Sequence, residues 1–508
     1  MRKNPSICEG SGMTTSIFTY LHVQLKCFSY SPSRSVEKPS LGAMVDFSYT
    51  YLVRHIVPGP QSFSYFVPHI LTPLSLLIPR SVLSRRQSIA IFLPITLLST
   101  LHAWVVMDGV DVISVNAVLI ALLFLLLKDP HTQFKLIVRN ARVPPSSQQS
   151  AAGDFSQEET ALLSPSEDAP PSTPSKPTGY RTQSYPSTVR ERLPWVNMLL
   201  ISIRFNDWLI AISSHDRTQP QPPAFPKRRQ FFLQALLSSV RGLLTIDLTH
   251  AYMTTDAYFT DPNISLYSPL PFASISGIAA MGFRSLVLGA QIWAALSQLF
   301  YLFATLPVGL NALGLLDDLW SPHTWGAYYG PASAIFTHGL RGFWGKYWHQ
   351  TMRITTSAPG YALADVLGLK GREWKRYAVI SLVAFGCSGV VHMGLVPAEP
   401  LWATVSPNRL RLYMGLFFWV QPVGMLGEML EESLWTSTTG REAWERGWMY
   451  QVRLVGTGLS VLLWFMACLP LIGEVGRQLG WFKFSILPVS LWQGLRGEGW
   501  ITWPILQR

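Results

Sequence analysis

The most constraining feature of this chain is a set of long apolar runs that contain no charged side chain. Lys, Arg, Asp and Glu are absent from residues 87–107 and 377–398, and from the 32 residues of 285–316. Because the hydrocarbon core of a bilayer is about 30 Å thick, a helix that crosses it needs ~20 mostly apolar residues. A soluble domain does not explain several such runs in one chain. The sequence therefore predicts a polytopic, all-α membrane protein.

Weaker apolar segments raise the expected number of crossings to about eight. Residues 454–473 are free of charge, while 112–127 and 412–427 are close to the lower length limit. Residues 231–255 are apolar but interrupted by two charges, and a further weak segment lies near 66–78. Only 14% of the residues are charged, whereas soluble domains carry about 25%. The predicted fold class is a transmembrane helical bundle of about eight crossings.

The net charge of +11 has an ordinary explanation in a membrane protein, because Lys and Arg accumulate in cytosolic loops. Basic clusters at 128–142, 227–229 and 341–376 fall on one side of the predicted bundle. We assign that side to the cytosol, and we expect a multi-pass protein of the endoplasmic reticulum membrane. No nucleic-acid-binding motif accompanies the charge, so no nucleic-acid partner is expected.

The four cysteines predict neither a disulfide framework nor a zinc site, because their spacing is neither paired nor that of metal ligands. Cys387 and Cys468 lie within apolar runs, where an inert buried thiol is the usual finding. We therefore expect no bound metal.

A change in composition divides the chain. Residues 141–190 are rich in Ser, Pro, Thr and Gln, and such a stretch cannot bury enough apolar surface to offset its ordering entropy. We expect a disordered cytosolic loop there, between an N-terminal transmembrane block (61–140) and a larger C-terminal domain (191–508). Residues 1–60 lack a signal-peptide pattern and are predicted to be a disordered extension, with Met44 as an alternative start.

The most unusual segment is Arg341–Arg353, with the sequence RGFWGKYWHQTMR; we call it the signature segment. On a helix at 100° per residue it separates into two faces. Aromatic and apolar residues gather on one face: Phe343, Trp344, Tyr347, Trp348 and Met352. Basic and polar residues gather on the other: Arg341, Lys346, His349, Gln350 and Arg353. One interpretation is a helix that anchors the protein at the membrane interface and nothing more.

A second feature is His392, an ionisable side chain inside the charge-free run 377–398. Such a residue is costly within a membrane helix and usually faces a cavity or the bundle interior. Two serines share its helical face, and three glycines would permit close approach of a neighbouring helix: Ser381, Ser388, Gly386, Gly389 and Gly394. Two interpretations stay open, a buried histidine bonded to a neighbouring helix and a general base shielded from bulk water.

These residues resemble a known family. FWGKYWHQTMR is similar to the F-W-G-x-R-W-H-Q signature of fungal wax-synthase-like proteins in the membrane-bound O-acyltransferase superfamily, and His392 follows about 40 residues later, as an intramembrane His does there. Upstream, ISIRFNDW at 201–208 resembles a degraded R-G-I-G-W segment, and TIDL at 245–248 resembles an L-L-D-L run. The resemblance covers roughly 193–473 and implies the helical bundle of that superfamily, with a central cavity.

The resemblance also implies roles for particular residues. His392 would be the catalytic base that takes the proton of an acceptor hydroxyl. His349 would orient the acceptor or stabilise the developing oxyanion. A further group would contact the CoA phosphates or the substrates: Lys346, Arg341, Arg353, Trp344 and Trp348. For the three basic residues, contact with lipid headgroups is the alternative.

The activity expected from the resemblance is an acyl-CoA-dependent O-acyltransferase without a bound cofactor. We favour acetyl-CoA as co-substrate and a terpenoid or meroterpenoid alcohol as acceptor, with membrane lipids as surroundings. The alternative within the family is a wax-ester enzyme that joins a fatty acyl group to a long-chain alcohol. An alternative of another class is a proton-coupled transporter, which would need intramembrane acids facing His392; Asp247 and Glu428 are the candidates.

Overall fold

The computed structural model describes the following residues: 63–106, 109–139, 180–202, 205, 207–210, 227–316, 320–371, 373–398, 400, 403–439, 447–483 and 485–502. The predicted extension 1–60 and most of the predicted loop 141–190 lie outside these ranges. The described chain resumes at Tyr180, within the stretch predicted to be a loop, as a short strand.

The N-terminal block and the segment that follows it contain these elements in order: α1 (Phe63–Leu77), α2 (Arg85–Val106), α3 (Val112–Ala121), a π-helical turn (Leu122–Leu127), α4 (Pro130–Gln133), β1 (Phe134–Arg139), β2 (Tyr180–Gln183), α5 (Val189–Ile201) and β3 (Trp208–Ile210).

The C-terminal part contains α6 (Arg228–Thr255), α7 (Ala257–Thr260), α8 (Gly277–Ala312), a 3-10 turn (Pro322–Trp325), α9 (Ser333–Gly342), a π-helical turn (Phe343–Tyr347), α10 (Arg353–Val366), α11 (Trp374–Met393), α12 (Pro407–Trp419), α13 (Gln421–Thr439), α14 (Gly447–Gln478) and α15 (Leu491–Leu495).

Long apolar helices dominate this architecture, as the sequence predicts. Within the described ranges, α2, α6, α8, α11 and α14 are long and apolar enough to cross a membrane, and α1 and α3 with its π-helical turn are shorter apolar helices. Leucines along these helices remain exposed on the protein surface, among them Leu98, Leu236, Leu306 and Leu459. Such apolar surface fits contact with lipid rather than water. The chain is an integral membrane protein.

A small sheet departs from the all-α prediction. Strand β1 lies between β2 and β3 and pairs with both in the antiparallel sense. Phe134 and Leu136 flank the exposed Lys135 and are each 1% exposed, and they pair with Ile210 and Trp208 of β3. The alternation of a half-buried strand covers only Phe134, Lys135 and Leu136, because Ile137 is buried as well. So short a pattern did not predict a strand.

Helices α6 and α8 form an antiparallel pair that is tied at both ends. At one end, Arg228 donates from Nη2 to Asn311 Oδ1 at 3.1 Å. At the other, Arg284 donates to both carboxylate oxygens of Asp256, at 2.6 and 2.8 Å. Arg284 and Asp256 are each 2% exposed, so this bidentate pair is buried, where charges persist only when paired. The two helices therefore have a fixed register.

Helix α11 packs closely against α12 and α3, and this packing positions the site. A Cβ at Gly389 would collide with the indole of Trp419 on α12, and one at Gly394 would collide with the backbone of Asp111 at the start of α3. The predicted close approach is thus confirmed at these two glycines. At Gly386 the backbone carbonyl accepts the indole N–H of the same Trp419 at 3.3 Å, although a Cβ there would meet nothing within 4 Å.

Candidate active site

The signature segment is not the single amphipathic helix that its sequence predicts. α9 ends at Gly342, a π-helical turn follows, and Trp348 is extended, with φ −63° and ψ 154°. The helix is also interrupted earlier, at Gly339, with φ 60° and ψ −139°. The prediction of one continuous helix over 341–353 is therefore wrong, and the reasons are contacts with distant elements.

The first of these contacts involves Glu428 of α13. Both of its carboxylate oxygens accept the backbone N–H of Leu340 at 2.8 Å, so the acid caps the helical piece that begins there. A Cβ at Gly339 would collide with this carboxylate, and the positive φ also favours glycine.

The second contact closes the segment on itself. The backbone N–H of Gly330 donates to the carbonyl of Tyr347 at 2.8 Å, and that of Trp348 donates to the carbonyl of Phe343 at 2.7 Å. A Cβ at Gly330 would collide with the carbonyl of Lys346. Residues 330–347 thus form a helical hairpin whose two ends meet, and this closure requires the chain to leave the helix before His349.

Trp344 is held in the core by a buried amide. Its indole Nε1 donates to Gln421 Oε1 at 3.1 Å, and the indole of Trp464 on α14 donates to the same oxygen at 3.1 Å. The amide nitrogen of Gln421 donates to the carbonyl of Phe417 at 2.6 Å. Gln421 is 0% exposed, so its polar atoms are all used inside the protein, and the indoles of two separate elements are fixed by one oxygen.

His349 lies in the irregular part of the signature segment and is oriented from two sides. Its ring stacks on Tyr328, with centres 5.4 Å apart and planes 14° from parallel. Its Nδ1 is 2.7 Å from Thr351 Oγ1. Tyr328 belongs to the aromatic stretch 321–329, which therefore lines this part of the site.

The neighbouring Tyr329 extends the aromatic contacts towards α8. Its ring stacks on Trp293 at 5.6 Å and lies 5.4 Å from the ring of Trp348. Burial raises the pKa of Tyr329, so its hydroxyl stays protonated and donates to the carbonyl of Trp293 at 2.9 Å.

His392 lies near the end of α11. Its Nδ1 is 2.7 Å from the carbonyl oxygen of Ser388, and its ring stacks on Phe418 with centres 4.0 Å apart and planes 28° from parallel. A carbonyl oxygen can only accept, so Nδ1 carries the proton and Nε2 holds the lone pair. Of the two serines predicted to share this face, Ser388 contributes its carbonyl, whereas the hydroxyl of Ser381 donates to Ala378.

Aromatic rings connect the two histidines. Trp344 lies 5.9 Å from Trp348 and 6.4 Å from Phe418, ring centre to ring centre. Trp348 contacts His349 at 5.3 Å, and Phe418 stacks on His392. We call the following rings the aromatic cluster: Trp293, Tyr328, Tyr329, Trp344, Trp348 and Phe418. The structure thus places both predicted histidines on one cluster.

The three predicted basic residues have different surroundings. Arg341 forms an ion pair with Glu432, so any ligand phosphate must compete with that carboxylate. Arg353 donates to the carbonyl of Gly345 at 3.0 Å. Lys346 is exposed and is the best placed of the three to meet a ligand.

The two acids that a proton relay would need are used elsewhere. Asp247 accepts hydrogen bonds from the hydroxyl of Ser490 and from the backbone N–H of Trp492 at the start of α15. Glu428 caps the helical piece at Leu340. Neither arrangement directs a carboxylate at His392, so the transporter alternative gains no support from them.

Some site residues had no signal in the sequence. Phe418 and Gln421 act through contacts with residues tens of positions away, and no local periodicity indicates such contacts. The Arg204 part of the resemblance at 201–208 lies outside the described residues. Within the described ranges, no group of three or more His, Cys, Asp or Glu is placed to hold a metal ion.

Comparison with known proteins shows what the segment that bears the two histidines is similar to. Residues 325–418 match the Membrane bound O-acyl transferase family, and this range contains both His349 and His392. This segment of the chain is therefore similar to that family, which confirms the resemblance predicted from the sequence.

Several individual proteins that the chain is similar to are fungal acetyltransferases. The acetyltransferase eriL of Hericium erinaceus is 26% identical over 220 residues, which cover 42% of this chain and 52% of eriL. The acetyltransferase ple2 of Rhodocybe pseudopiperita is 32% identical over 214 residues, 41% of this chain and 49% of ple2. The acetyltransferase nanB of Aspergillus nanangensis is 42% identical over 85 residues, 16% of this chain and 19% of nanB.

The chain spans about half the length of eriL and ple2. No solved structure matches it significantly.

Proposed function

We propose that this protein is a membrane-embedded O-acetyltransferase that transfers the acetyl group of acetyl-CoA to a hydroxyl of a terpenoid or meroterpenoid alcohol. The observation that carries the proposal is the setting of His392. Its Nδ1 bond to the Ser388 carbonyl leaves Nε2 as a proton acceptor, on the same aromatic cluster as His349 and inside the segment that matches the family. The names of the fungal relatives support acetyl as the transferred group.

In the proposed reaction, Nε2 of His392 takes the proton of the acceptor hydroxyl as its oxygen attacks the thioester carbonyl. The carbon–sulfur bond then breaks, and the CoA thiolate takes the proton from the imidazolium. The products are an acetate ester and free CoA. Direct transfer of this kind needs no covalent enzyme intermediate.

His349 is proposed to act on the oxyanion. When the hydroxyl of Thr351 donates to Nδ1 of His349, Nε2 carries the ring proton and can donate to the developing negative charge. Stacking on Tyr328 holds the ring in place. Trp344 and Trp348 would form the apolar surface for the acyl group and the acceptor.

For the donor, we propose that Lys346 and Arg353 contact the CoA phosphates. Lys346 is exposed, and charge-assisted bonds to phosphate are strong. Arg341 belongs to the same proposal, but its ion pair with Glu432 predicts a smaller contribution.

The proposal includes a bundle of about eight crossings with a central cavity, in the endoplasmic reticulum membrane. Besides the five long apolar helices, the further crossings would be α1, α3 with its π-helical turn, and the α12–α13 pair. An apolar acceptor would then reach the site from the bilayer.

The test is an assay of expressed membranes with labelled acetyl-CoA or palmitoyl-CoA and a panel of terpenoid and long-chain alcohols. We expect acetate esters of terpenoid alcohols, and loss of product in His392→Ala with expression retained. Esters formed from palmitoyl-CoA and long-chain alcohols would instead identify a wax-ester enzyme. Unchanged turnover in His392→Ala would contradict the mechanism.

A further inference from the structure

A stack of three aromatic rings connects α8 to His349. The ring of Tyr328 lies between the ring of Phe300 on α8 and the imidazole of His349. Its centre is 4.6 Å from the centre of Phe300 and 5.4 Å from that of His349, and its plane is 25° and 14° from their planes. Because stacked rings at such separations attract one another, the orientation of the His349 ring depends on where α8 places Phe300.

A second stack runs beside the first. The ring of Tyr329 lies between Trp293 on α8 and Tyr347 of the signature segment, with centres 5.6 Å apart in both pairs and planes 20° and 17° from parallel. Trp293 and Phe300 are seven residues apart in the sequence, so they lie on the same face of α8. Two neighbouring tyrosines thus join one face of α8 to two positions of the signature segment, and the chain that carries His349 is attached to this helix twice.

Helix α8 is a rigid reference for these stacks. Its ends are tied to α6 by the two contacts described above, and Phe300 lies between them. Phe300 and Tyr328 are buried and belong to one apolar cluster with residues of α6 and α8. The ring of Trp325 meets Phe300 edge-on, with centres 5.9 Å apart. Phe300 is therefore held in place, and Tyr328 has a fixed surface on which to stack.

The proposed role of His349 depends on the direction of its donor. Its Nε2 must point at the place where negative charge develops, because a hydrogen bond weakens steeply when its donor is misaligned. The contact of Nδ1 with Thr351 holds one edge of the ring, but the ring can still tilt about that contact. The face of Tyr328 limits this tilt, and Tyr328 is itself supported from its other face by Phe300.

We propose that Phe300 is a positioning residue for His349 and that it acts through Tyr328. This inference rests on the proposed function, in which His349 stabilises the oxyanion. It extends the site to α8, outside the residues 325–418 that match the family. A residue that acts in this way should affect the rate of transfer and not the affinity for acetyl-CoA.

The first experiment measures ester formation in membranes that contain the full chain, with labelled acetyl-CoA and the alcohol of the panel that yields most ester. Phe300→Leu removes the ring and keeps most of the apolar volume. We expect kcat to fall by about 2- to 10-fold, as for the loss of one aromatic pair. The Michaelis constant for acetyl-CoA should change by less than about 2-fold. Tyr328→Leu should lower kcat at least as much, and Tyr328→Phe, which keeps the stack, should retain more of it.

A double-mutant cycle tests whether the effect passes through Tyr328. In the Tyr328→Leu background the stack is already broken, so Phe300→Leu should lower kcat no further. The matched control is Phe283→Leu, which removes a ring from the same helix where it packs edge-on against Tyr252, with centres 5.0 Å apart. Whatever stability this control variant loses, we expect its kcat to be unchanged.

The second experiment needs no turnover. Diethyl pyrocarbonate modifies unprotonated imidazole nitrogens, and peptide mass spectrometry assigns the modification to His349. We expect His349 to react about 2- to 10-fold faster in Phe300→Leu, because a ring released from its stack exposes its nitrogens more often. His392, which stacks on Phe418 instead, is the internal reference and should react at the same rate in both proteins.

Other outcomes would overturn the inference. An unchanged kcat with a lower unfolding temperature in detergent would make Phe300 a packing residue only, and a higher Michaelis constant without a fall in kcat would make it a donor contact. Equal losses of kcat in the two Tyr328 backgrounds, or an unchanged reactivity of His349, would show that the stack does not hold the imidazole. If no ester forms with any alcohol but His349 still reacts faster in Phe300→Leu, the proposed transfer fails while the stack stands.

Discussion

The two histidines of the site are held in opposite ways. His392 lies in a regular helix, and its bond partner is the carbonyl of Ser388, one turn earlier on the same helix. His349 follows a π-helical turn in extended chain, and it is oriented by Tyr328 from a different loop and by Thr351. One geometry is local, and the other depends on several elements that meet in space.

This difference predicts which histidine is sensitive to changes elsewhere. The tautomer of His392 is set by its own helix, so distant substitutions should leave its basicity in place. The position of His349 depends on the closure of the hairpin 330–347 and on Tyr328. Variants that loosen those contacts should reduce oxyanion stabilisation while general-base catalysis persists.

Among the variants that test how His349 is held, the largest effect is expected from His349→Ala. Loss of one oxyanion donor costs about 100-fold or more in kcat, and we expect that loss here with little change in the Michaelis constant for the donor. His349→Asn keeps a side-chain donor and should recover part of kcat. If kcat stays the same and only the thermal stability of the solubilised protein falls, His349 is structural and the comparison fails.

Gln421→Met should have the next largest effect, because it removes the acceptor that Trp344 of the cluster shares with Trp464. The indoles of Trp344 and Trp464 would lose their shared acceptor, and each buried unpaired donor costs about 1–3 kcal/mol. We expect a lower unfolding temperature in detergent and kcat reduced by about 10-fold.

The control for this variant is a double-mutant cycle with Trp464→Phe, which removes one of the two donors. Gln421→Met should cost less stability in that background than in the unaltered protein. Equal costs in both backgrounds would show that the shared oxygen does not couple the two indoles.

The smallest effect is expected from Thr351→Val, which removes the hydroxyl beside Nδ1 of His349 at nearly constant volume. Loss of a hydrogen bond of about 0.5–1.5 kcal/mol predicts a reduction of kcat by about 2- to 10-fold. Thr351→Ser keeps the hydroxyl and should be close to the unaltered enzyme. A loss in Thr351→Ser with none in Thr351→Val would mean that methyl packing, and not the hydrogen bond, positions the ring.

The membrane helices were predictable because their signal is local. The charge-free runs 87–107 and 377–398 correspond to α2 and α11 within a few residues. Each run carries enough apolar length to specify a helix without knowledge of its neighbours. His392 was identified for the same reason, because an ionisable side chain is energetically costly within the apolar run that surrounds it.

The break in the signature segment was not predictable by that reasoning. It results from the Glu428 cap on Leu340 and from the bond between Gly330 and Tyr347, which join residues far apart in sequence. Helical periodicity assigns His349 to a polar face, but the chain has already left the helix there. The ion pair of Arg341 with Glu432 could not be predicted from the sequence either, because the charge of a residue does not indicate which distant residue it pairs with.

The closed hairpin 330–347 also has a consequence for engineering. Its ends meet through one backbone hydrogen bond. Its polar contacts with other elements include those of Leu340 with Glu428, Trp344 with Gln421 and Arg341 with Glu432. The hairpin can be exchanged as a unit between related enzymes only if its partners Glu428, Gln421 and Glu432 are exchanged with it. Chimaeras made at these boundaries would transfer the aromatic surface of the hairpin from one enzyme to another.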